Sequence, residues 1–475
     1  MKPSSKNTNL ELLILSFILM MVMVIDVVVP IYPNDLWPYM RIAEEILKSH
    51  AIPTTEFMTY TQYGQPASYL FWLPSLMFLG VYKLGGAALI SVLSSLCLAV
   101  YHLFLWLTLR EHKVSPLTAA LAIGFSILVS INGWSVRPQI LVFPLFGILL
   151  FLLARWRNGN TKLLWLLPVI ACLWANFHAS FIIFFFLTVP ALLFFRGNRK
   201  RLGIFVALSL LATLINYYGF DLWKGMFGMV DNATIRQFSA EWIMPTNEGW
   251  QQNIFFFTLL AVPLIAAVSK TRLHLLDWVW YIGFGWMAVT TIRYQFWFMA
   301  VVVLVLARLA APTLDPWYQR IRILQNRSIN LALSVILLLV PIAFLPGIRG
   351  LWWSTATPVF QDTTPIRAAE WLKTQPQLKG ELWSHFNYNT YLTYGLPERK
   401  LFMTNRFEDF PVQQFKDNNI ISFAKPGWEA VVDDYGINLI LASREENTDL
   451  LTALSAGTGW HEVYSDDTSI IFARD

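Results

Sequence analysis

The sequence predicts an all-α polytopic membrane domain, with about eleven transmembrane helices plus interfacial helices, followed by a small soluble α/β domain. Three observations carry this prediction. The 475 residues are 56% hydrophobic and 15% aromatic but only 14% charged, against roughly 25% charged in a soluble domain. Apolar runs of bilayer length recur through residues 1–348. From about residue 355 the composition becomes that of a soluble unit.

Charge divides the chain in the same place. Residues 1–348 carry 24 Lys and Arg against 13 Asp and Glu, a net +11, whereas residues 349–475 carry 11 against 17, a net −6. The basic excess falls in loops between apolar runs, where it sets orientation across a membrane. It gives little support to nucleic-acid binding. Cys97 and Cys172 both lie inside apolar segments, which argues against disulfides and against a thiolate metal site.

Lys2 and Lys6 precede an apolar run from Leu10 to Val29, with no small-residue cleavage site before Pro30. This reads as a retained signal-anchor helix, a first span over 11–29 with Asp26 in its outer turn. A polar loop follows over 30–86. In it Arg41 to Leu47 has the apolar spacing of a helix lying in the membrane plane. Residues 70–84 are apolar but interrupted by Pro74 and Gly80, and fall short of the roughly 17–25 residues needed to cross.

Charge decides whether that segment spans. If it is interfacial, further spans follow at 87–109, 116–133, 139–154, 163–178, 180–195, 202–217, 253–269, 274–291, 294–311 and 329–346. The loops with Arg110/Lys113, Arg155/Arg157/Lys162, Arg196/Arg199/Lys200/Arg201, Lys270/Arg272 and Arg320/Arg322/Arg327 then share the side of Lys2 and Lys6. If it crosses, all of them flip outside, against the positive-inside rule. The expected arrangement is therefore eleven spans, a cytoplasmic N-terminus and an extracytoplasmic C-terminus. Domains of 1–348 and 349–475 follow, with outer loops at 30–86 and 217–252. In the second domain Thr364 to Thr374 reads as a helix, and Glu381–His385, Lys400–Thr404, Ile437–Ala442, His461–Tyr464 and Ser469–Ala473 read as strands.

This topology places the unusual polar residues of helix ends on the outer face. Asp35, in Asn34-Asp35-Leu36-Trp37, is either a general base for an acceptor hydroxyl or amine or a helix cap in an aromatic belt with Trp37 and Tyr39. Arg137, before Pro138, and Arg293, in a tight turn, are candidates to grip a phosphate or pyrophosphate; snorkelling to headgroups is the alternative. Asn176 and His178 end the fifth span and could orient a substrate or move a proton, or simply cap the helix. Asn216 and Glu241 bracket the second outer loop, with Glu241 a second acid or a sugar-hydroxyl ligand. Asn232-Ala233-Thr234 and Asn326-Arg327-Ser328 match the glycosylation sequon, a pattern common by chance. The sequence has no Walker motif, no dinucleotide glycine pattern and no zinc-type His/Glu pair.

With these residues assembled, the chain resembles the C-type glycosyltransferase superfamily, which includes the protein O-mannosyltransferases and the aminoarabinose transferase of lipid A. The resemblance is nearest to a bacterial group of polytopic membrane proteins. It rests on Asn34-Asp35-Leu36-Trp37, Arg137-Pro138-Gln139, Asn176-Phe177-His178-Ala179, Asn216-Tyr217-Tyr218-Gly219 and Glu241-Trp242, in that order. In the tail it rests on Tyr391-Leu392, Phe402-Met403-Thr404-Asn405-Arg406 and Val463-Tyr464-Ser465-Asp466-Asp467. Ala179 stands where the group's pattern has Gly, Tyr217 where it has Pro, and the usual acidic pair is reduced to Asp35.

The resemblance implies transfer of a sugar from a polyprenyl-phosphate donor to a cell-envelope glycan, lipid or protein at the outer face of a bacterial plasma membrane. Asp35 would be the catalytic base and Arg137 and Arg293 the donor-phosphate ligands. Asn176, His178, Asn216 and Glu241 would bind substrate. No cofactor is implied, and a single nearby carboxylate makes a poor divalent-metal site. The rival readings are a non-catalytic relative that binds a lipid-linked glycan or a partner protein, and a transporter. The transporter is disfavoured because Asp26 and Asp277, the only acids in question, lie near helix ends.

Overall fold

The computed structural model describes residues 5–320, 326–353 and 358–474; Lys2 and Arg322, two of the residues read as orienting the chain, lie outside them. Each of the eleven expected spans falls on a helix. Among the described residues, five helices are long and apolar enough to cross a membrane: Leu10–Val28, Trp72–Glu111, Pro138–Arg157, Trp250–Val268 and Ile292–Tyr318. Shorter apolar helices lie at Pro116–Ser130, Leu166–Phe177, Ala179–Phe194 and Arg327–Ala343, and Arg199–Ala212 and Leu275–Thr290 carry the remaining expected spans. The chain is an integral membrane protein.

Burial separates the helices by role. Gln295–Tyr318 is the axis of the bundle, with every residue from Phe296 to Val305 buried. A helix apolar on all sides needs partners on all sides, and this one has them. Trp250–Val268 is the opposite, with Phe257, Leu260, Leu264 and Val268 exposed; that face suits lipid tails.

The expected break before the second span is real, and its cause is local. Trp72–Glu111 runs as one helix except at Gly85 (φ −155°, ψ 19°) and Gly86 (φ 58°, ψ −151°). The left-handed φ of Gly86 is open to glycine at no steric cost. Residues 72–84 are thereby set off from the helix that follows.

Two buried acids of the bundle differ. Asp277 Oδ1 accepts from Arg157 Nη1 at 2.6 Å, and its Oδ2 meets Arg308 Nη1 at 2.7 Å and accepts from His274 N at 2.8 Å, so it closes an ion triad and a capping box at the start of the helix Leu275–Thr290. Asp26 is buried too, and its Oδ2 has no hydrogen-bond partner among the described residues. Arg349 is 3% exposed and donates to the carbonyls of Val27, Val28 and Pro358. These include carbonyls that the end of the first helix leaves without intrahelical partners.

The C-terminal unit is α/β. Its sheet has the order β1-β2-β4-β3, built from Glu381–Ser384 (β1), Ile437–Ser443 (β2), Trp460–Ser465 (β3) and Ser469–Arg474 (β4). β1 runs parallel to β2, and β2 and β3 run antiparallel to β4. Ile440 and Ala442 of β2 pack into one apolar cluster, and Leu439 and Leu441 into another. Side chains alternate across a strand, so helices cover both faces. Lys400–Thr404, read as a strand, makes only isolated bridges, Leu401 to Thr59 and to Leu382. Its backbone is spent on joining the sheet to the 30–86 loop: Leu401 N donates to Met58 O at 3.0 Å and Tyr60 N to Leu401 O at 3.1 Å. A further pair, Ile31 N to Val359 O and Gln361 N to Ile31 O, both at 3.0 Å, fastens the start of the unit to the end of the first helix. The C-terminal unit is docked on the bundle along this seam.

Candidate active site

A cavity of about 500 Å³ lies between the bundle, the 30–86 loop and the C-terminal unit, and Asp35, Arg137, His178, Glu241 and Arg293 all line it. Five of the seven residues singled out in the sequence thus converge from five separate segments.

Asp35 stands at the N-cap position of the helix Leu36–Ser49, yet its side chain makes no cap bond. Asn34 takes that task, its Oδ1 accepting from Leu36 N at 3.1 Å. The cap reading of Asp35 is thereby corrected, and its carboxylate is left for the cavity. There the amide of Asn405 donates to its Oδ1 at 2.5 Å. Trp37 is no part of an interfacial belt: it is 1% exposed, packed edge-on against Tyr391 at 4.8 Å.

Arg137 owes its position to Pro138. A residue before proline is steered to extended backbone, and Arg137 has φ −151°, ψ 168°. Burial draws its guanidinium down to about 10, with Asp35 pulling the other way; it stays a cation at neutral pH. Arg293 sits in the turn Ile292–Tyr294, which is tied to the Glu241 loop by Ile292 N donating to Ile243 O at 3.1 Å. Its guanidinium lies 5.7 Å from the centre of the Trp242 ring.

Glu241 bridges the two arginines. Arg137 Nη1 donates to its Oε1, and Arg293 Nη1 lies 3.3 Å from its Oε2. His178 completes the group, with Nε2 3.3 Å from Arg293 Nη2. Ser180 N donates to His178 Nδ1 at 3.0 Å, and Ser180 Oγ lies 2.8 Å from the same nitrogen.

Asn176 and Asn216 do not line the cavity. The amide of Asn176 donates to Cys172 O at 2.9 Å and Ile215 O at 2.8 Å, joining two helix ends. The Asn216 amide donates to Thr213 O at 2.6 Å, and its oxygen accepts from Tyr218 N at 2.7 Å. Both side chains are consumed by backbone, which corrects their reading as substrate ligands.

The C-terminal unit brings residues that sequence reasoning left without a role. Asn405, Arg406 and Glu408 line the same cavity. Arg406 pairs with Asp409 at 2.6 Å and Glu408 at 3.3 Å, donates to Ser68 O at 2.8 Å, and lies 4.3 Å from the centre of the Tyr69 ring. These acids hold Arg406 well above its ordinary range. The stretch Phe402-Met403-Thr404-Asn405-Arg406 was the signal. Among the described residues, no group of three His, Cys, Asp or Glu is placed to hold a metal ion.

No protein-family model and no curated protein matches the chain. Solved structures do. The apo oligosaccharyltransferase of Archaeoglobus fulgidus aligns with a TM-score of 0.59 at 13% identity, over 99% of this chain and 75% of that one. The same enzyme tethered to an acceptor peptide containing the NVT sequon gives 0.56 at 13% identity, over 99% and 74%. The arabinofuranosyltransferase AftD from Mycobacteria gives 0.60 at 14% identity, over 97% of this chain and 41% of that one. At such identities the shared property is architecture, and the chain has the fold of the C-type glycosyltransferases.

Proposed function

We propose that the protein is a membrane glycosyltransferase that moves a sugar from a polyprenyl-phosphate donor to an acceptor on the extracytoplasmic face. The observation that carries this reading is one cavity holding a carboxylate, Asp35, and a separate pair of cations, Arg137 and Arg293, with His178 beside them. Support comes from the fold, whose solved examples include an oligosaccharyltransferase and an arabinofuranosyltransferase. In this reading the helices form eleven spans in a bacterial plasma membrane, with the cavity at headgroup depth on the outer side.

The chemistry follows from the geometry. Asp35 takes the proton of the acceptor hydroxyl or amine while the acceptor atom attacks the sugar carbon from the face opposite the phosphate. The bond from that carbon to the phosphate oxygen breaks, and polyprenyl phosphate leaves carrying the electron pair. The guanidiniums of Arg137 and Arg293 stabilise that charge as it develops. Asn405 holds the carboxylate by one oxygen and leaves the other free.

The test is binding of a panel of polyprenyl-phosphate monosaccharides to the protein in nanodiscs, with Arg137→Ala and Asp35→Asn beside the wild type. Selective binding that weakens in Arg137→Ala and survives in Asp35→Asn is expected. Absence of binding to every donor sinks the reading. A non-catalytic glycan binder would bind donor but show no turnover that depends on Asp35.

A further inference from the structure

Glu241 occupies the place that the proposed chemistry gives to a phosphate. Each oxygen of its carboxylate faces a different guanidinium, Arg137 on one side and Arg293 on the other. One observation shows that this group has capacity for another anion: the Nε of Arg137 is buried and has no hydrogen-bond partner among the described residues. His178 borders the same cations, with Nε2 3.3 Å from Arg293 Nη2.

We infer that Glu241 is an internal anion seated on the donor-phosphate subsite, and that donor binding is an exchange in which the phosphate displaces its carboxylate. The inference rests on the donor reading above and adds a competitor to it. Without an anion, two cations would face each other across a partly buried cavity, at an electrostatic cost. Glu241 relieves that cost while the site is vacant.

The loop is built to let the side chain leave without the backbone moving. Trp242 N donates to Ser239 O at 3.0 Å, Ile292 N to Ile243 O at 3.1 Å, and Trp242 packs against Arg293. The residues after Glu241 are therefore fastened, whereas the Glu241 side chain is 38% exposed and reaches solvent by rotation alone. A rotamer change of this kind is fast compared with catalysis.

The experiment measures binding of a polyprenyl monophosphate, with the matching polyprenyl alcohol and inorganic phosphate as separate arms, to wild type, Glu241→Gln and Glu241→Ala. A site open about a tenth of the time binds about tenfold more weakly than its intrinsic affinity. Glu241→Gln is therefore expected to bind polyprenyl monophosphate about tenfold tighter than wild type, and Glu241→Ala to do the same. The alcohol should show no change. A parallel gain for inorganic phosphate would place the competition at the anion itself; a gain confined to the lipid would show that the chain must also be seated, and both agree with exchange. Equal or weaker binding in both variants, with wild type still binding, overturns the inference and leaves the donor reading intact. No binding by wild type or either variant overturns the donor reading, and this inference with it.

Discussion

The amide of Asn405 donates to Asp35 at 2.5 Å across 370 positions of sequence, so the C-terminal unit completes the arrangement around the proposed base. A hydrogen bond to a charged group is worth about 1.5–3 kcal/mol, and this one is partly screened. Asn405→Ala should therefore lower turnover about tenfold, a loss of about 1.4 kcal/mol, with donor binding unchanged, because among the described residues no hydrogen bond or ion pair joins Asn405 to the Arg137–Arg293 cluster. Steady-state kinetics beside a donor-binding isotherm read both. Weakened donor binding with unchanged turnover would contradict this assignment.

Asp35→Asn tests the base itself. The change keeps size and leaves a partner for Asn405, while it removes the proton acceptor. General base catalysis contributes about 10²–10⁴ in rate, and a fall in turnover of that size is expected with donor affinity retained. Turnover within a few-fold of wild type would assign Asp35 a structural role.

Arg406 fastens the C-terminal unit through Asp409, Glu408 and Ser68 O. With its side chain 11% exposed and that of Asp409 6% exposed, removing it leaves the Asp409 carboxylate without its ion pair, at a cost of about 3 kcal/mol. Arg406→Ala should lower the melting temperature and expose the 30–86 seam to limited proteolysis. Unchanged protection would mean that the backbone bonds of Leu401 suffice for docking.

Much of this was legible in the chain, for physical reasons that differ by element. Hydropathy marked the apolar segments, each of which falls on a helix, because a lipid-facing helix must be apolar residue by residue. β2 was legible from the run Ile437 to Ala442, since burial on both faces requires apolar residues throughout. Lys400–Thr404 has the same local composition, but its backbone bonds run largely to the 30–86 loop, and no local pattern records a partner so far away. The candidate residues divide likewise. His178 and Asn176 lie two positions apart at one helix end, yet His178 faces the cavity and Asn176 serves the backbone of a neighbouring helix. Polarity at a helix end does not distinguish them. Asn405 was invisible as a site residue because its meaning comes from Asp35.

The break at Gly85–Gly86 sets the helix 72–84, whose N-terminal residues line the cavity at Phe71 and Ser75. Gly86 has φ 58° and ψ −151°, and a Cβ built there meets nothing within 4 Å. Crowding is therefore absent, and the whole cost of Gly86→Ala is the backbone conformation, about 1–3 kcal/mol. Gly80 lies in the same apolar stretch with helical geometry and equally open space. Gly80→Ala should gain about 0.5–1 kcal/mol, because alanine loses less entropy than glycine in a helix. Melting curves of the two variants should thus move in opposite directions from wild type. If Gly86→Ala melts at or above wild type, the two helices are able to run straight through the break, and the angle that brings residues 71–75 to the cavity is not fixed by this pair.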